Sequence, residues 1–279
     1  MGHFPGAHSL LSAAVVPVLG LSLVACSQAP SPEPAATAAE SSQAAGGVEE
    51  LGVEIVATHP FDPASFTQGL EVEPGGTLLV GTGREGQSRV YRTTVDGQES
   101  DEHRLDPEFF GEGVTRHDDT VWQLTWRSGV AFRRDADTLE ELGRVNYQGE
   151  GWGLCSRQDE LIMSDGTGEL RRLDPESFEE RERFPVTLEG QPVMGLNELE
   201  CVGDEIYANV FTFSDILRID AATGTVTGII DGSTLPNNGP ANDPDAVLNG
   251  IAHIPGTDRF YVTGKMWPDL YEVRFTPQQ

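Results

Sequence analysis

Short runs of apolar and β-branched residues recur along most of this chain, separated by Gly, Pro and Asp. The runs show no 3.6-residue periodicity, and their aliphatic and aromatic content is typical of strands. The clearest five are Thr77–Gly81, Val121–Trp126, Leu161–Asp165, Ile206–Phe211 and Phe260–Gly264. The pattern predicts an all-β domain and excludes a helical solenoid.

A second, shorter element precedes each of these runs. It joins a polar or aromatic residue, usually a glycine, and an aliphatic residue. The five copies are Gln68-Gly69-Leu70, Glu112-Gly113-Val114, Trp152-Gly153-Leu154, Asn197-Glu198-Leu199 and Asn249-Gly250-Ile251. Units of about 45 residues with four short strands each are typical of propeller blades. We therefore predict a five-bladed β-propeller, with an open β-sandwich as the alternative fold.

The two ends of the predicted domain complement each other. The fifth unit lacks a fourth strand, since Gln279 follows soon after Phe275, whereas an unpaired strand, Val53–Thr58, precedes the first unit. Adding that strand to the last blade removes two exposed strand edges. We therefore expect the N-terminal strand to join the last blade and close the ring.

The beginning of the chain has a different composition. An apolar run, Leu10–Val24, leads into Leu23-Val24-Ala25-Cys26, which has the pattern of a lipobox. We predict a lipoprotein signal peptide over 1–25 and lipidation of Cys26, although no Lys or Arg precedes Leu10. A plain secretory signal and a misassigned start are the alternatives. A run of about 15 apolar residues is too short for a transmembrane helix, which needs roughly 20.

Residues 26–50 are mainly Ser, Ala, Pro, Glu and Gln. Such a segment buries too little apolar surface to offset the entropy of ordering, so it is predicted to be a disordered tether. Residues 51–279 are predicted to form one domain, the five-bladed β-propeller. We expect a monomeric, extracytoplasmic protein that is lipid-anchored to the cell membrane, with a secreted or periplasmic location as the alternative.

The acidic composition limits the partners. The chain has 45 Asp and Glu residues against 18 Lys and Arg, a formal net charge of -27. This charge repels phosphate backbones and anionic lipid surfaces. Nucleic acid is therefore excluded as a partner, and membrane contact is expected only through the lipid on Cys26.

Two cysteines remain beyond Cys26, too few for a cysteine-rich metal site. An oxidising compartment permits a bridge between Cys155 and Cys201, but we expect two free buried thiols. The oxygen-rich segment Leu235–Asp245 could hold calcium. It lacks the spacing of an EF-hand, so we expect its polar residues to form turns.

The residue that leads each repeat is expected at the mouth of the central channel, where the inner strands begin. These residues are Gln68, Glu112, Trp152, Asn197 and Asn249. Glu112 is the only ionisable one, and desolvation should raise its pKa toward a useful range for proton transfer. The ends of the second strands should bring Trp126, Asp165, Phe211 and Lys265 to the same mouth.

Eight motifs around these residues resemble those of the plant and bacterial glutaminyl-peptide cyclotransferases. They are Phe66-Thr67-Gln68-Gly69-Leu70, Phe110-Gly111-Glu112-Gly113, Gln123-Leu124-Thr125-Trp126, Gly151-Trp152-Gly153-Leu154, Leu196-Asn197-Glu198-Leu199-Glu200, Ala208-Asn209-Val210, Leu248-Asn249-Gly250-Ile251-Ala252 and Val262-Thr263-Gly264-Lys265-Met266-Trp267-Pro268. The motifs occur in the family's order across residues 59–274. The resemblance implies a five-bladed propeller that uses no catalytic metal ion and no other cofactor.

The resemblance also implies roles for individual residues. Glu112 is the implied general acid/base. The implied substrate-binding residues are Phe66, Gln68, Trp126, Trp152, Asn197 and Lys265. Phe211 joins them at a position where relatives tend to have Trp. The aromatic wall is kept there, but an indole N–H donor is lost.

The implied activity is conversion of the N-terminal glutamine of peptides or proteins to pyroglutamate with release of ammonia. A ring of amides and tryptophans also suits a non-catalytic surface propeller that binds peptide or glycan, since fold alone does not decide function. A metal-dependent propeller hydrolase, such as a lactonase, is the third possibility. That class needs several carboxylates at the channel, and Glu112 is the only carboxylate among the five residues that lead the repeats.

Overall fold

The computed structural model describes residues 47–278, and its regular secondary structure consists entirely of strands. The all-β prediction is confirmed for these residues. Within the same range no helix is long and apolar enough to span a membrane. The predicted signal peptide, Cys26 and all but the last residues of the predicted tether lie outside the described residues.

The first thirteen strands in the chain are the N-terminal strand and the strands of the first three units. They are β1 (Glu49–Pro60), β2 (Thr67–Val72), β3 (Leu78–Thr82), β4 (Arg89–Thr93), β5 (Glu99–Arg104), β6 (Gly111–His117), β7 (Thr120–Thr125), β8 (Val130–Asp135), β9 (Glu141–Asn146), β10 (Leu154–Arg157), β11 (Glu160–Ser164), β12 (Glu169–Leu173) and β13 (Glu180–Pro185). The remaining strands are β14 (Thr187–Leu188), β15 (Gln191–Pro192), β16 (Leu196–Val202), β17 (Glu205–Val210), β18 (Asp215–Asp220), β19 (Val226–Asp231), β20 (Leu248–His253), β21 (Arg259–Gly264) and β22 (Asp269–Pro277).

Consecutive strands pair into four-stranded antiparallel units. Strands β2 to β5, β6 to β9 and β10 to β13 form three separate sheets. The fourth sheet has eight strands in the order β16-β17-β18-β19-β1-β22-β21-β20, and β14 pairs with β15 as a small hairpin. The eight-stranded sheet therefore contains the unit β16 to β19 and the unit β20 to β22 with β1.

The N-terminal strand is the fourth strand of the last unit. β1 runs antiparallel to β22, with Leu51 opposite Pro277 and Pro60 opposite Asp269. Its first residues also pair in parallel with β19, where Glu49 lies opposite Gly228. The predicted pairing of the front strand with the last unit is thus present, and the strand begins two residues inside the segment assigned to the tether.

The first strands of the five units contact one another in the order β2, β6, β10, β16 and β20, and β20 in turn contacts β2. Glycine allows this approach. A Cβ atom on Gly113 would lie 2.7 Å from the backbone nitrogen of Leu154, and one on Gly153 would overlap the carbonyl oxygen of Asn197. Side chains at these two positions would therefore force neighbouring first strands apart.

The hydrophobic core lies between neighbouring units as well as within them. Trp122 on β7 is completely buried and packs with Leu154 on β10, Leu161 on β11 and Phe178 from the turn before β13. The Trp122 indole also donates a hydrogen bond to the carbonyl of Pro175 at 2.9 Å. Packing between units thus fixes the positions of the first strands and of the side chains at their ends.

Cys155 and Cys201 form a disulfide, with their Cα atoms 5.5 Å apart. The expectation of two free thiols is therefore wrong. The cysteines are 46 residues apart, about one repeat, so contact between β10 and β16 brings them together. The bond links two neighbouring first strands covalently.

The oxygen-rich loop 235–245 uses its polar side chains in its own turns and in contacts with neighbours. Asn237 accepts a hydrogen bond from the backbone N–H of Gly239, and Asp243 accepts one from that of Asp245, each at 3.0 Å. Asp243 also forms an ion pair with Arg84, 2.7 Å away. These contacts agree with the predicted turn structure and hold the loop against the β3–β4 connection.

Candidate active site

A cavity of about 220 Å³ lies at the ends of the first strands. Its lining residues are Phe66, Gln68, Arg84, Phe110, Glu112, Trp126, Trp152, Asn197, Phe211, Asp245 and Lys265. Glu112 and the seven residues proposed from the sequence to bind substrate all belong to this lining. Asp165 does not, because its carboxylate pairs with the guanidinium of Arg171 instead.

Glu112 stands near the start of β6 and is 4% exposed. Its Oε1 accepts a hydrogen bond from Nε2 of Gln68 at 3.0 Å. Its Oε2 is buried and has no hydrogen-bond partner among the described residues. A buried carboxyl oxygen without a partner is costly, and in a cavity it can exchange a proton with a bound molecule.

Burial raises the pKa of Glu112 well above its usual range. The positive charge of Lys265 opposes this rise, and the negative charge of Glu150 adds to it. Desolvation is the largest of these effects, so the carboxyl group remains protonated at a pH where an exposed glutamate is ionised. The predicted direction of the shift agrees with this environment.

Gln68 holds Glu112 rather than facing the cavity with a free amide. Its Oε1 accepts a hydrogen bond from Nδ2 of Asn249 at 3.1 Å, and the same nitrogen donates to the carbonyl of Thr67 at 2.9 Å. The hydrogen bonds therefore run from Asn249 through Gln68 to Glu112 and fix the orientation of the carboxyl group. Asn249 leads the fifth repeat, yet it acts from behind the cavity wall.

Lys265 follows the end of β21 and is 4% exposed. Its Nζ lies 4.9 Å from the ring centre of Phe66 and 5.1 Å from that of Phe211. Burial lowers the pKa of Lys265, while the charges of Glu112 and Asp245 act in the opposite direction. The ammonium group is thus held between two aromatic faces, a favourable place for a cation.

The aromatic wall of the cavity has two arcs. Phe66 contacts Phe110 and Phe110 contacts Trp126, with ring centres 5.9 and 5.5 Å apart. Trp152 contacts Phe211 across 5.5 Å to form the second arc. The Lys265 ammonium lies between Phe66 of the first arc and Phe211 of the second, and Trp126 and Trp152 end the two arcs on the other side.

Four residues of this site were not proposed from the sequence as site residues. Phe110 stands in a motif quoted above and could have been identified from it. Arg84 and Asp245 come from connecting loops that carry no repeat signal. Glu150 accepts hydrogen bonds from the indoles of Trp126 and Trp152, although it precedes the third repeat by two residues.

The arrangement combines the buried carboxyl group of Glu112 and the buried ammonium group of Lys265 with largely aromatic walls, and Arg84 and Asp245 add a second pair of charged groups to the lining. Asn197 adds a side-chain amide to the lining, and its backbone carbonyl accepts a hydrogen bond from Ser164 at 2.6 Å. Among residues 47–278, no group of three or more His, Cys, Asp or Glu side chains is arranged to hold a metal ion. The site can therefore bind a small, mainly uncharged group and move a proton within it.

Comparison with known proteins identifies the family to which this chain is similar. A model of the glutamine cyclotransferase family matches residues 27–275. The glutaminyl-peptide cyclotransferase of Arabidopsis thaliana is 34% identical over 226 residues, which cover 80% of this chain and 71% of the relative. The crystal structure of the Myxococcus xanthus glutaminyl cyclase is 37% identical, with a TM-score of 0.78, over 83% of this chain and 100% of that chain. The chain therefore belongs to the glutamine cyclotransferase family.

Proposed function

We propose that this protein is a glutaminyl-peptide cyclotransferase, which converts the N-terminal glutamine of peptides or proteins to pyroglutamate and releases ammonia. The observation that carries this function is the position of Glu112. Glu112 lines an aromatic cavity of about 220 Å³, and its Oε2 is buried without a hydrogen-bond partner among the described residues. Membership of the family and the names of both relatives support the same activity.

The reaction is intramolecular. The neutral α-amine attacks the γ-amide carbon of the same glutamine, a C–N bond forms, and the original amide C–N bond breaks to release ammonia. Because the nucleophile is tethered to its target, the enzyme mainly has to fold the side chain into a ring. The faces of Trp126, Trp152 and Phe211 are suited to packing the aliphatic part of that ring and excluding water.

Glu112 moves the proton in this proposal. In its ionised form it takes a proton from the attacking nitrogen, and it then gives that proton to the leaving nitrogen, so its net protonation is unchanged. General acid/base catalysis of this kind typically contributes 10²–10⁴-fold. The hydrogen bond from Gln68 at 3.0 Å holds the second oxygen during the transfer.

Lys265 and Asn197 are proposed to stabilise the oxygen that becomes negative when the amine attacks. Both line the cavity, and the ammonium of Lys265 is desolvated, which strengthens its interaction with a developing charge. We also propose that no metal ion is needed, because an α-amine with a pKa of about 7.7–8.0 is partly neutral at physiological pH. Activity should therefore persist after dialysis against a chelator.

The direct test measures ammonia release from a short peptide that begins with glutamine. The wild-type domain should release one ammonia per pyroglutamyl peptide, as counted by mass spectrometry. The same peptide with an acetylated amine should not react, because its nitrogen cannot attack. Binding of the free peptide without turnover would instead favour a non-catalytic binding propeller.

We propose a five-bladed propeller for the arrangement of the five four-stranded units. Supporting it are the cyclic contacts among their first strands and the completion of the last unit by β1. In this cyclic arrangement, each first strand has two neighbouring first strands. An experimental structure with the sheets in another arrangement, such as two stacked layers, would contradict the proposal.

The N-terminal segment is proposed to place this domain outside the cytoplasm. The protein is proposed to be a monomer. The sequence supports cleavage after residue 25, a lipid on Cys26 and a tether to residue 50. Labelled fatty acid should be incorporated by the wild-type protein and not by Cys26→Ser, which should be released into the medium or periplasm. Equal labelling of both proteins would contradict the anchor.

A further inference from the structure

We propose that Glu150 is a positioning residue that holds the indoles of Trp126 and Trp152 with their ring faces toward the cavity. This inference rests on the cyclotransferase function proposed above and extends it to a residue of the β9–β10 loop. The motivating observation is that one carboxylate oxygen joins two aromatic side chains from neighbouring units.

Glu150 bridges the two indoles through two short hydrogen bonds. Oε2 of Glu150 accepts a hydrogen bond from Nε1 of Trp126 at 2.7 Å and from Nε1 of Trp152 at 3.0 Å. Trp126 directly follows β7, whereas Trp152 precedes β10, so the two indoles belong to different sheets. The carboxylate therefore closes the gap between the two aromatic arcs, opposite the gap that Lys265 closes.

Glu150 is itself held before any ligand binds. Its Oε1 accepts a hydrogen bond from Nε of Arg127 at 2.9 Å, and the Arg127 guanidinium stacks 3.6 Å from the Trp126 ring centre. The loop is fixed by Arg171, which donates to the carbonyl of Gln148 at 2.7 Å, and by a hydrogen bond from Gly151 to the carbonyl of Trp126. Such support limits motion of a binding wall.

The bridge has a consequence for binding. Each indole N–H is already used by Glu150, and Phe211 has no polar hydrogen to offer. The three aromatic side chains therefore present apolar surface, and the polar contacts of the cavity are left to its other lining residues, among them Glu112, Asn197 and Lys265. An apolar wall of fixed shape favours the compact, folded side chain that cyclisation requires.

Indole resonances provide a readout that does not depend on activity. The chain has four tryptophans. Trp122 donates to Pro175 and Trp267 to Ala246, so their N–H groups serve as internal references. In protein labelled with ¹⁵N-tryptophan, Glu150→Ala should shift the Nε1–H resonances of Trp126 and Trp152 upfield, while those of Trp122 and Trp267 stay in place.

Kinetics on the same variants test the functional part. For a glutaminyl peptide, Glu150→Ala should raise KM about tenfold and lower kcat less, because the wall loses its shape while Glu112 stays in place. Glu150→Gln, which keeps one carbonyl acceptor, should give intermediate values. The matched control Glu176→Gln removes an exposed turn carboxylate and should change neither the kinetics nor the indole resonances.

The outcomes separate the two proposals. If wild-type protein releases no ammonia, the cyclotransferase function fails, whereas the indole shifts still report whether Glu150 holds the tryptophans. If wild-type protein is active but Glu150→Ala leaves the Trp126 and Trp152 resonances and KM unchanged, the positioning role is wrong. Should Glu150→Ala fail to fold, the same shifts and the same KM increase, at smaller size, are required of Glu150→Gln.

Discussion

Glu112 and Glu198 are both buried carboxyl groups on first strands, and they differ in what their oxygens contact. Glu112 faces the cavity, and one of its oxygens has no partner among the described residues. Glu198, in the next unit but one, is equally buried, yet both of its oxygens accept backbone hydrogen bonds, from Leu70 at 3.3 Å and from Ile251 at 2.9 Å. Burial raises the pKa of both groups.

Burial and a raised pKa therefore do not identify a catalytic carboxyl group in this protein. Glu198 occupies the repeat position where the other four units have glycine, and it ties three first strands together. Glu200 accepts a hydrogen bond from the backbone of His253 at 3.0 Å in the same manner. The feature that distinguishes Glu112 is an oxygen left free beside a cavity.

The sharpest test of this comparison is Glu112→Gln. The variant keeps the shape of the side chain and a carbonyl oxygen but cannot transfer a proton, so kcat should fall by about 10²–10⁴-fold. Its stability in urea should stay close to that of the wild-type protein or increase, since a buried ionisable group is removed. Full activity of a normally folded variant would show that the acid/base assignment is wrong.

Glu198→Ala should have the reverse effect, with a loss of stability and little change in kcat. It leaves the backbone N–H groups of Leu70 and Ile251 without their acceptor, which costs about 1–3 kcal/mol for each buried donor. The free energy of unfolding, measured in urea, should fall accordingly, while kcat per folded molecule stays within about twofold. A large loss of kcat in a stably folded Glu198→Ala protein would break the distinction between the two groups.

The site residues that could be predicted from the sequence are those on the repeats. Gln68, Glu112, Trp152 and Asn197 each lead a unit, and equivalent positions of packed units converge because the first strands contact in a cycle. Lys265 and Phe211 follow second strands and reach the cavity for the same reason. The repeat period thus carried most of the information about the site.

Residues outside the repeat pattern could not be predicted in this way. Glu150 and Arg84 lie in loops, where position depends on packing against side chains rather than on strand register. Glu198 stands within a repeat, but at the position where the other four copies have glycine, so the pattern itself does not predict a carboxylate there. The disulfide was missed because pairing depends on which first strands are neighbours, a fact supplied by the arrangement of the units.

Lys265 tests the electrostatics of the cavity. Its positive charge lowers the pKa of Glu112 against the larger effect of burial, so Lys265→Met should raise that pKa further. The ionised fraction of Glu112 grows with pH, and activity should therefore rise along a limb that lies at higher pH in the variant. We expect kcat to fall about tenfold and the acid limb of the pH–kcat profile to shift upward. A limb that stays in place would indicate that Lys265 does not interact with Glu112.

The smallest effect concerns Glu71, which, like Glu198 and Glu200, accepts a hydrogen bond from the backbone of a neighbouring first strand. Burial raises the pKa of Glu71 to about 7, with hydrogen bonds from Thr115 and the backbone of Arg116 acting in the opposite direction. Since the folded pKa lies above the unfolded value of 4.5, its contribution to stability is complete below about pH 4.5 and is lost as the pH rises through 7.

Glu71→Gln removes that loss. Its free energy of unfolding relative to the wild-type protein should therefore increase by about 1–3 kcal/mol between pH 5 and pH 8. Because Glu71 lies outside the cavity, the pH–kcat profile should not change. A relative stability that falls with pH would mean that Glu71 is ionised in the folded state, and that hydrogen bonding outweighs desolvation at this position.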